Sequence, residues 1–250
     1  MKNQYFGDLS DYKKYGLLRT LSIEGECSLT VCWMLTRDDQ STDGRHTTYL
    51  ADVREWRNHE PLVFDLLADA VFKNSRNLEI VEKSGLIPNS NYFREEIGDA
   101  PSQREAFFAR LADEARNSDI VFLDPDNGLE VKSVPYGSKG AHKYIYRSEI
   151  EKLSRNGLSI LLYQHFGRKE RSEFIRAIAL KLIDWLNVEE VFSLRTTHTV
   201  FFLVPKAAHR SRIDRSLQAV NRQWGDKIFI EIHSKESVST VTTKNQLDLL

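Results

Sequence analysis

Apolar and polar positions along this chain alternate between two periods, and the alternation sets out its elements. Over 11–21 apolar residues recur at helical spacing (Tyr15, Leu17, Leu18, Leu21), which predicts an opening helix. The run 29–35 is β-rich and apolar and predicts a strand. Helical spacing returns over 61–72 through Leu62, Val63, Leu66, Leu67, Ala70 and Val71. Residues 78–81 read as a short strand, and 87–93 as a turn-rich stretch holding another. The stretch 102–117 reads as a helix with Ser102 as N-cap and Glu105 completing a capping box. Two buried strands with apolar cores follow at 119–124, which ends in polar residues, and 158–163, separated by a short helix over 148–155 that Asn156-Gly157 stops. A long amphipathic helix over 169–186 leads to strands at 191–195 and 199–204. A basic helix over 211–224 and a strand over 228–232 end the pattern.

Strand–helix alternation with near-continuous apolar strands predicts a three-layer α/β/α sandwich with a mostly parallel central sheet. The expected organisation is one catalytic α/β domain over 1–236, with a Ser/Thr-rich tail over 237–250 that is disordered in part. The longest apolar run falls far short of the roughly 20 residues that span a bilayer, and the first residues carry no apolar leader. Cys27 and Cys32 lie on opposite faces of one strand, so they neither bridge nor build a zinc site. These features point to a cytoplasmic protein without membrane partners.

Charge adds an asymmetry that the net value of −1 hides. Residues 1–130 carry a balance of −9 and residues 131–235 one of +9. Either the halves neutralise each other across the fold, or the basic half meets a polyanion.

The chemistry sits where apolar strands end in polar residues, because ligands bind beyond the carboxyl ends of parallel strands. One strand delivers Asp124-Pro125-Asp126-Asn127-Gly128, the other Gln164-His165-Phe166-Gly167-Arg168. Turn chemistry accounts for the Pro, Asn and Gly but not for two carboxylates at one strand end. His165 reads as a structural histidine or as a rim donor, and His198 as a turn residue or a donor on the same rim. Asp8 or Ser10 caps the first helix, while Tyr5 and Phe6 offer rings for stacking on a base. Asp38, Asp39, Asp43 and His46 match no defined metal loop, and a solvated turn is the plainer reading. No Gly-x-Gly, phosphate loop or Gly-x-Ser-x-Gly is present. Glu130-Val-Lys132 hints at a nuclease core but leaves no room for that core's second strand.

Phe122-Leu123-Asp124-Pro125-Asp126-Asn127-Gly128 resembles the first active-site motif of the uracil-DNA glycosylase superfamily, Gly-Gln-Asp-Pro-Tyr-His-Gly. The match falls on Asp124, Pro125 and Gly128, and Asp126 and Asn127 replace Tyr and His. The whole chain also resembles bacterial anti-phage glycosylases that excise glucosylated hydroxymethylcytosine. The resemblance implies a cofactor-free DNA N-glycosylase acting on a flipped base in double-stranded phage DNA. Its catalytic set would be Asp124, Asp126, Asn127, His165 and His198, and its substrate contacts Tyr5, Phe6, Asp8, Gln164 and Arg168. Phosphate contacts would come from Lys143, Arg147, Lys169, Arg210, Arg212 and Arg215. Asp124-Pro125-Asp126-Asn127 also resembles the Asp-Pro-Pro-Tyr motif of amino-methyltransferases, and the hairpin over 191–204 resembles that fold's terminal strand pair. That resemblance implies an S-adenosylmethionine-dependent enzyme acting on nucleic acid, although no glycine loop follows the first strand. A non-catalytic nucleic-acid-binding module is the third reading, against which the acids at the strand end count.

Overall fold

A computed structural model describes residues 1–36, 44 and 46–235. Asp38, Asp39, Asp43 and the tail 237–250 lie outside the described residues. The helices are α1 (Leu9–Ile23), α2 (Val53–Trp56), α3 (Pro61–Phe72), α4 (Glu79–Lys83), α5 (Pro101–Glu114), α6 (Arg147–Arg155), α7 (Arg171–Leu186) and α8 (Arg210–Trp224). The strands are β1 (Leu29–Cys32), β2 (Ser90–Phe93), β3 (Ile120–Leu123), β4 (Gly128–Leu129), β5 (Tyr144–Ile145), β6 (Ser159–His165), β7 (Glu190–Arg195), β8 (Thr199–Val204) and β9 (Phe229–Ser234).

Seven strands form one sheet in the order β2-β1-β3-β6-β8-β7-β9, and β4 and β5 pair apart from it. β2, β1, β3 and β6 are parallel. β8 runs against both β6 and β7, and β9 runs against β7. Five strands therefore point one way and two the other.

Strand side chains alternate between two apolar layers, as a period of two requires. Ile120, Phe122, Leu161, Tyr163, Phe201 and Leu203 pack in one layer with α1, α3 and α8. Val121, Leu123, Ile160, Leu162, Val200 and Phe202 pack in the other with α5, α6 and α7. Both faces are covered, which is why these strands read as unbroken apolar runs and not as in–out patterns. The sandwich expected from the alternation is the observed architecture.

Two local expectations are corrected, and one small sheet was not foreseen. Residues 78–81 are not a strand: they begin α4, where Asn77 Oδ1 accepts from the Glu79 N–H and Glu79 pairs with Lys83 one turn on. A run of four apolar residues does not by itself discriminate helix from strand. Ser102 is not the N-cap of α5. Ala100 takes that place and Pro101 the first helical position, where its missing N–H costs nothing. The small sheet of β4 and β5 escaped the pattern because two-residue strands carry no periodicity.

Among the described residues no helix is long and apolar enough to cross a membrane. Cys27 and Cys32 are free, buried, and belong to opposite layers, as their spacing predicts.

Candidate active site

The chain turns back on itself around β1. It proceeds first to β2 on one side and later to β3 on the other, so the strand order reverses at the carboxyl ends of β1 and β3. Such a reversal opens a crevice in a parallel sheet. Asp124 and Asp126 leave β3 there, and Gln164 and His165 lie on the neighbouring β6, with Leu123 paired to Leu162. Thr199 pairs with His165, which brings the 196–198 turn to the same rim. The two polar strand ends thus share one rim, as their sequence implied.

Asp124 is nearly enclosed, with an exposure of 2%. Its Oδ2 sits 2.7 Å from Lys14 Nζ, and the same ammonium lies 2.9 Å from Asp11 Oδ1. The ammonium also faces the Tyr163 ring at 4.7 Å. One cation therefore serves two carboxylates. Burial raises Asp11 to a pKa of about 7 against the pull of Lys14, with Asp8 and Asp124 adding to the rise. Burial works against the charge on Lys14, but Asp11 and Asp124 outweigh it and hold the ammonium protonated.

Asp126 is held differently. Its Oδ1 lies 2.7 Å from the Met1 ammonium, and its Oδ2 accepts from Thr36 Oγ1 at 2.9 Å. Burial would raise its pKa, but the ammonium, Thr36 and Lys2 together bring it below the ordinary carboxylate range. Just before Thr36, Met34 takes φ +46°, the left-handed region that a glycine enters more readily. This sharp turn at the end of β1 stands where a glycine loop was absent from the sequence.

Gln164 clamps the loop after β3. Its Oε1 accepts from the Leu129 N–H at 2.8 Å, and its Nε2 donates to the Asn127 carbonyl at 3.1 Å. Gly128, with φ +96°, brings its backbone against this amide, and a Cβ there would lie 2.2 Å from Gln164 Oε1. Gln164 thus shapes the loop and is 5% exposed, so it is not placed to contact a substrate. The Asn127 side-chain amide has no hydrogen-bond partner among the described residues. His165 is exposed at the rim with its ring edge-on to Tyr163 at 5.0 Å. Crowding by the protein lowers its pKa, and the charge of Lys14 opposes the pull of Asp124. His198 stacks on His46, with centroids 6.2 Å apart.

Beside the crevice lies a cleft of about 770 Å³ at the carboxyl ends of β1 and β2. Leu35, Ile97 and Phe107 give it apolar walls, and Glu96, Asp99 and His142 polar ones. Asp99 is fixed by the N–H groups of Gly140 and His142 and by the His142 ring at 2.7 Å. Thr36 lines the cleft and also binds Asp126, so cleft and crevice meet at that residue.

Several site expectations are corrected. Phe6 is fully buried against Tyr15 and cannot stack on a base. Asp8 caps α1, as its place before the helix implied, accepting from the Asp11 N–H at 2.9 Å, and this engages the carboxylate expected to contact substrate. Tyr5 is half-buried with Lys2 over its ring. Arg212 forms a two-pronged pair with Asp119 at the start of β3, at 2.7 Å on both arms. Arg210 pairs with Glu190 and Asp214, and Arg215 with Glu26. These three lie at the amino ends of the strands, away from the rim, and answer acids in the first half of the chain and beside them. Arg147 pairs with Glu151 and faces Trp185. Lys143 contributes its carbonyl to the Asn127 N–H. Arg168 and Lys169 are exposed on the rim. Among the described residues no cluster of metal-binding side chains forms.

Sequence reasoning missed Lys14, Asp11, Thr36 and the cleft. A lysine inside an apolar helix stripe was the available signal for Lys14, since such a charge needs a partner.

No family model and no curated protein matches the chain. A solved structure, protein LPL1258 from Legionella pneumophila str. Philadelphia 1, described by the family model DUF519, is similar over 92% of this chain and 97% of its own. The identity is 10% and the TM-score 0.45. The structure found is thus a DUF519 protein, and the expected resemblance to uracil-DNA and anti-phage glycosylases is overturned. The site gives the physical reason the seven-residue match misled. A water-activating Asp must reach solvent and substrate, whereas Asp124 is sealed against Lys14 and Asp126 is tied to Met1 and Thr36.

Proposed function

We propose that the chain is an S-adenosylmethionine-dependent, methyltransferase-like enzyme acting on nucleic acid. The observation that carries the reading is the placement of Asp124-Pro125-Asp126-Asn127 on the strand next to β1, in a sheet where β8 is inserted antiparallel between β6 and β7. This is the context that the Asp-Pro-Pro-Tyr resemblance and the terminal strand pair call for together.

The residues of the cleft fit the donor. Leu35, Ile97 and Phe107 suit the faces of a purine, and an acidic wall at Glu96 suits ribose hydroxyls and a cationic sulfonium. The donor supplies an electrophilic methyl group when bound. The chain's own residues position the acceptor: Asn127 and His165 belong to the two polar strand ends on the rim, while Lys14 and Gln164 hold the motif in place from behind. Asp124 itself is a positioning residue, since Lys14 and not a substrate occupies its carboxylate. A cytoplasmic location and a single catalytic unit over 1–236 accord with this reading.

Calorimetric titration with S-adenosylmethionine and with S-adenosylhomocysteine tests it. Both should bind with micromolar affinity, and Glu96→Ala should weaken each about tenfold, a change of roughly 1.4 kcal/mol. Absence of binding heat from either compound, with the fold intact by circular dichroism, would remove the reading.

A further inference from the structure

Charge pairing in this molecule is uneven, and four of the cations that it leaves unpaired lie along one rim. Arg104 pairs with Glu149, Arg110 with Glu95, Arg212 with Asp119 and Lys227 with Glu55. Among the described residues, Lys13, Arg168, Lys169 and Arg171 have no carboxylate partner. Lys13 belongs to the first turns of α1, Arg168 and Lys169 to the connection leaving β6, and Arg171 to the start of α7. All three segments border the carboxyl ends of the strands.

Lys13 is the most telling of the four. Its side chain is only 2% exposed, and its ammonium lies 5.2 Å from the centre of the Trp56 ring. Burial and the nearby Lys227 lower its pKa to about 8, against the pull of Asp226. A cation so enclosed without a hydrogen-bonded anion is costly, and an incoming anion would relieve that cost. His198 stands beside it with the His46 ring nearly parallel, at 11°. Burial lowers the pKa of His198, and the positive charges of Lys13, His46 and Arg171 lower it further. Asp8 pulls His198 the other way, and its carboxylate is engaged in capping α1. Arg171 is steadied by the Phe166 ring, 5.1 Å from its guanidinium carbon.

We propose that His46, His198, Arg168, Lys169 and Arg171, with the enclosed charge of Lys13 behind them, form the track on which the phosphodiester backbone of a nucleic-acid strand docks. His198 takes one phosphate with the enclosed charge of Lys13 behind it, and the exposed cations of the 168–171 segment take its neighbours. The cations extend along the rim from α1 to α7, which fits a linear polyanion better than a single small anion. The proposal rests on the reading that the acceptor is nucleic acid, and adds which surface holds it.

Fluorescence anisotropy of labelled single-stranded RNA, single-stranded DNA and duplex DNA, measured across salt without methyl donor, tests the track. At least one of the three should bind the unmodified protein, and the comparison identifies which. The triple variant Arg168→Gln, Lys169→Gln, Arg171→Gln replaces exposed side chains and should keep the fold. Affinity should fall at least tenfold at roughly 0.1 M salt, and the salt slope should become shallower by about 2–3. Lys13→Met should weaken binding several-fold, and Arg116→Gln, at the amino ends of the strands, should change nothing. Unchanged affinity in the triple variant, or no binding of any of the three nucleic acids, overturns the proposal. Donor calorimetry on the same proteins separates the two ideas. Donor binding without nucleic-acid binding removes the track alone, and the reverse result removes the methyl-donor reading alone.

Discussion

Lys14 is the residue on which the interior of the site turns. Its ammonium faces Asp11 and Asp124 in a space with 2% exposure for each group. Breaking a buried ion pair from one side leaves uncompensated charge, a loss of roughly 3–5 kcal/mol. Lys14→Met should therefore cost about that much by urea unfolding near neutral pH, while Lys14→Met with Asp124→Asn should cost less. Asp11 adds a pH dependence. Its pKa rises from 3.8 to about 7 on folding, so between those values the native state keeps a proton that the unfolded chain has released. The Asp11 contribution is therefore complete below about pH 4, declines as pH rises, and is lost above about pH 7. Urea unfolding from pH 4 to 8 should show this decline, and Asp11→Asn should flatten it. An unchanged profile in that variant would place the titration elsewhere.

At the scale of elements, Arg104 joins α5 to α6 and to the loop between β4 and β5. It is fully buried, with two arms on Glu149 at 2.7 and 2.9 Å and further donations to the carbonyls of Gly98, Ala141 and Tyr144. Glu149 in turn accepts from the Tyr146 N–H at the start of α6. This junction shapes the wall of the cleft, because Gly98 and His142 line it. Arg104→Met should destabilise by roughly 3–5 kcal/mol, and a double-mutant cycle with Glu149→Leu should recover part of the loss. A cycle with no coupling would mean that the carbonyl contacts, and not the ion pair, hold the junction.

The whole molecule is a sheet sealed on both faces, and its two thiols sit one in each layer. Cys32 is pushed up to about 12 and Cys27 to about 11, in both cases chiefly by burial. Both should resist a thiol reagent in the native state and react at a common rate set by global opening. Faster reaction of Cys27 alone would show that the α8 side opens independently.

Much at this scale was legible in the chain alone. Apolar runs and helical stripes located α1, α3, α5, α6, α7, α8 and every strand of the large sheet except the exact bounds, because period and burial are properties of neighbours in sequence. They also placed Asp124 and His165 at strand ends, hence on one rim. Tertiary structure decided what those ends do. Partnership across more than a hundred residues, as between Lys14 and Asp124, leaves no local trace. It sealed one acid, tied the other to Met1, turned three arginines of α8 toward acids at the far end, and left four rim cations without carboxylate partners. A side chain's type is written in the sequence, but whether its charge is answered depends on which distant segment folding sets against it.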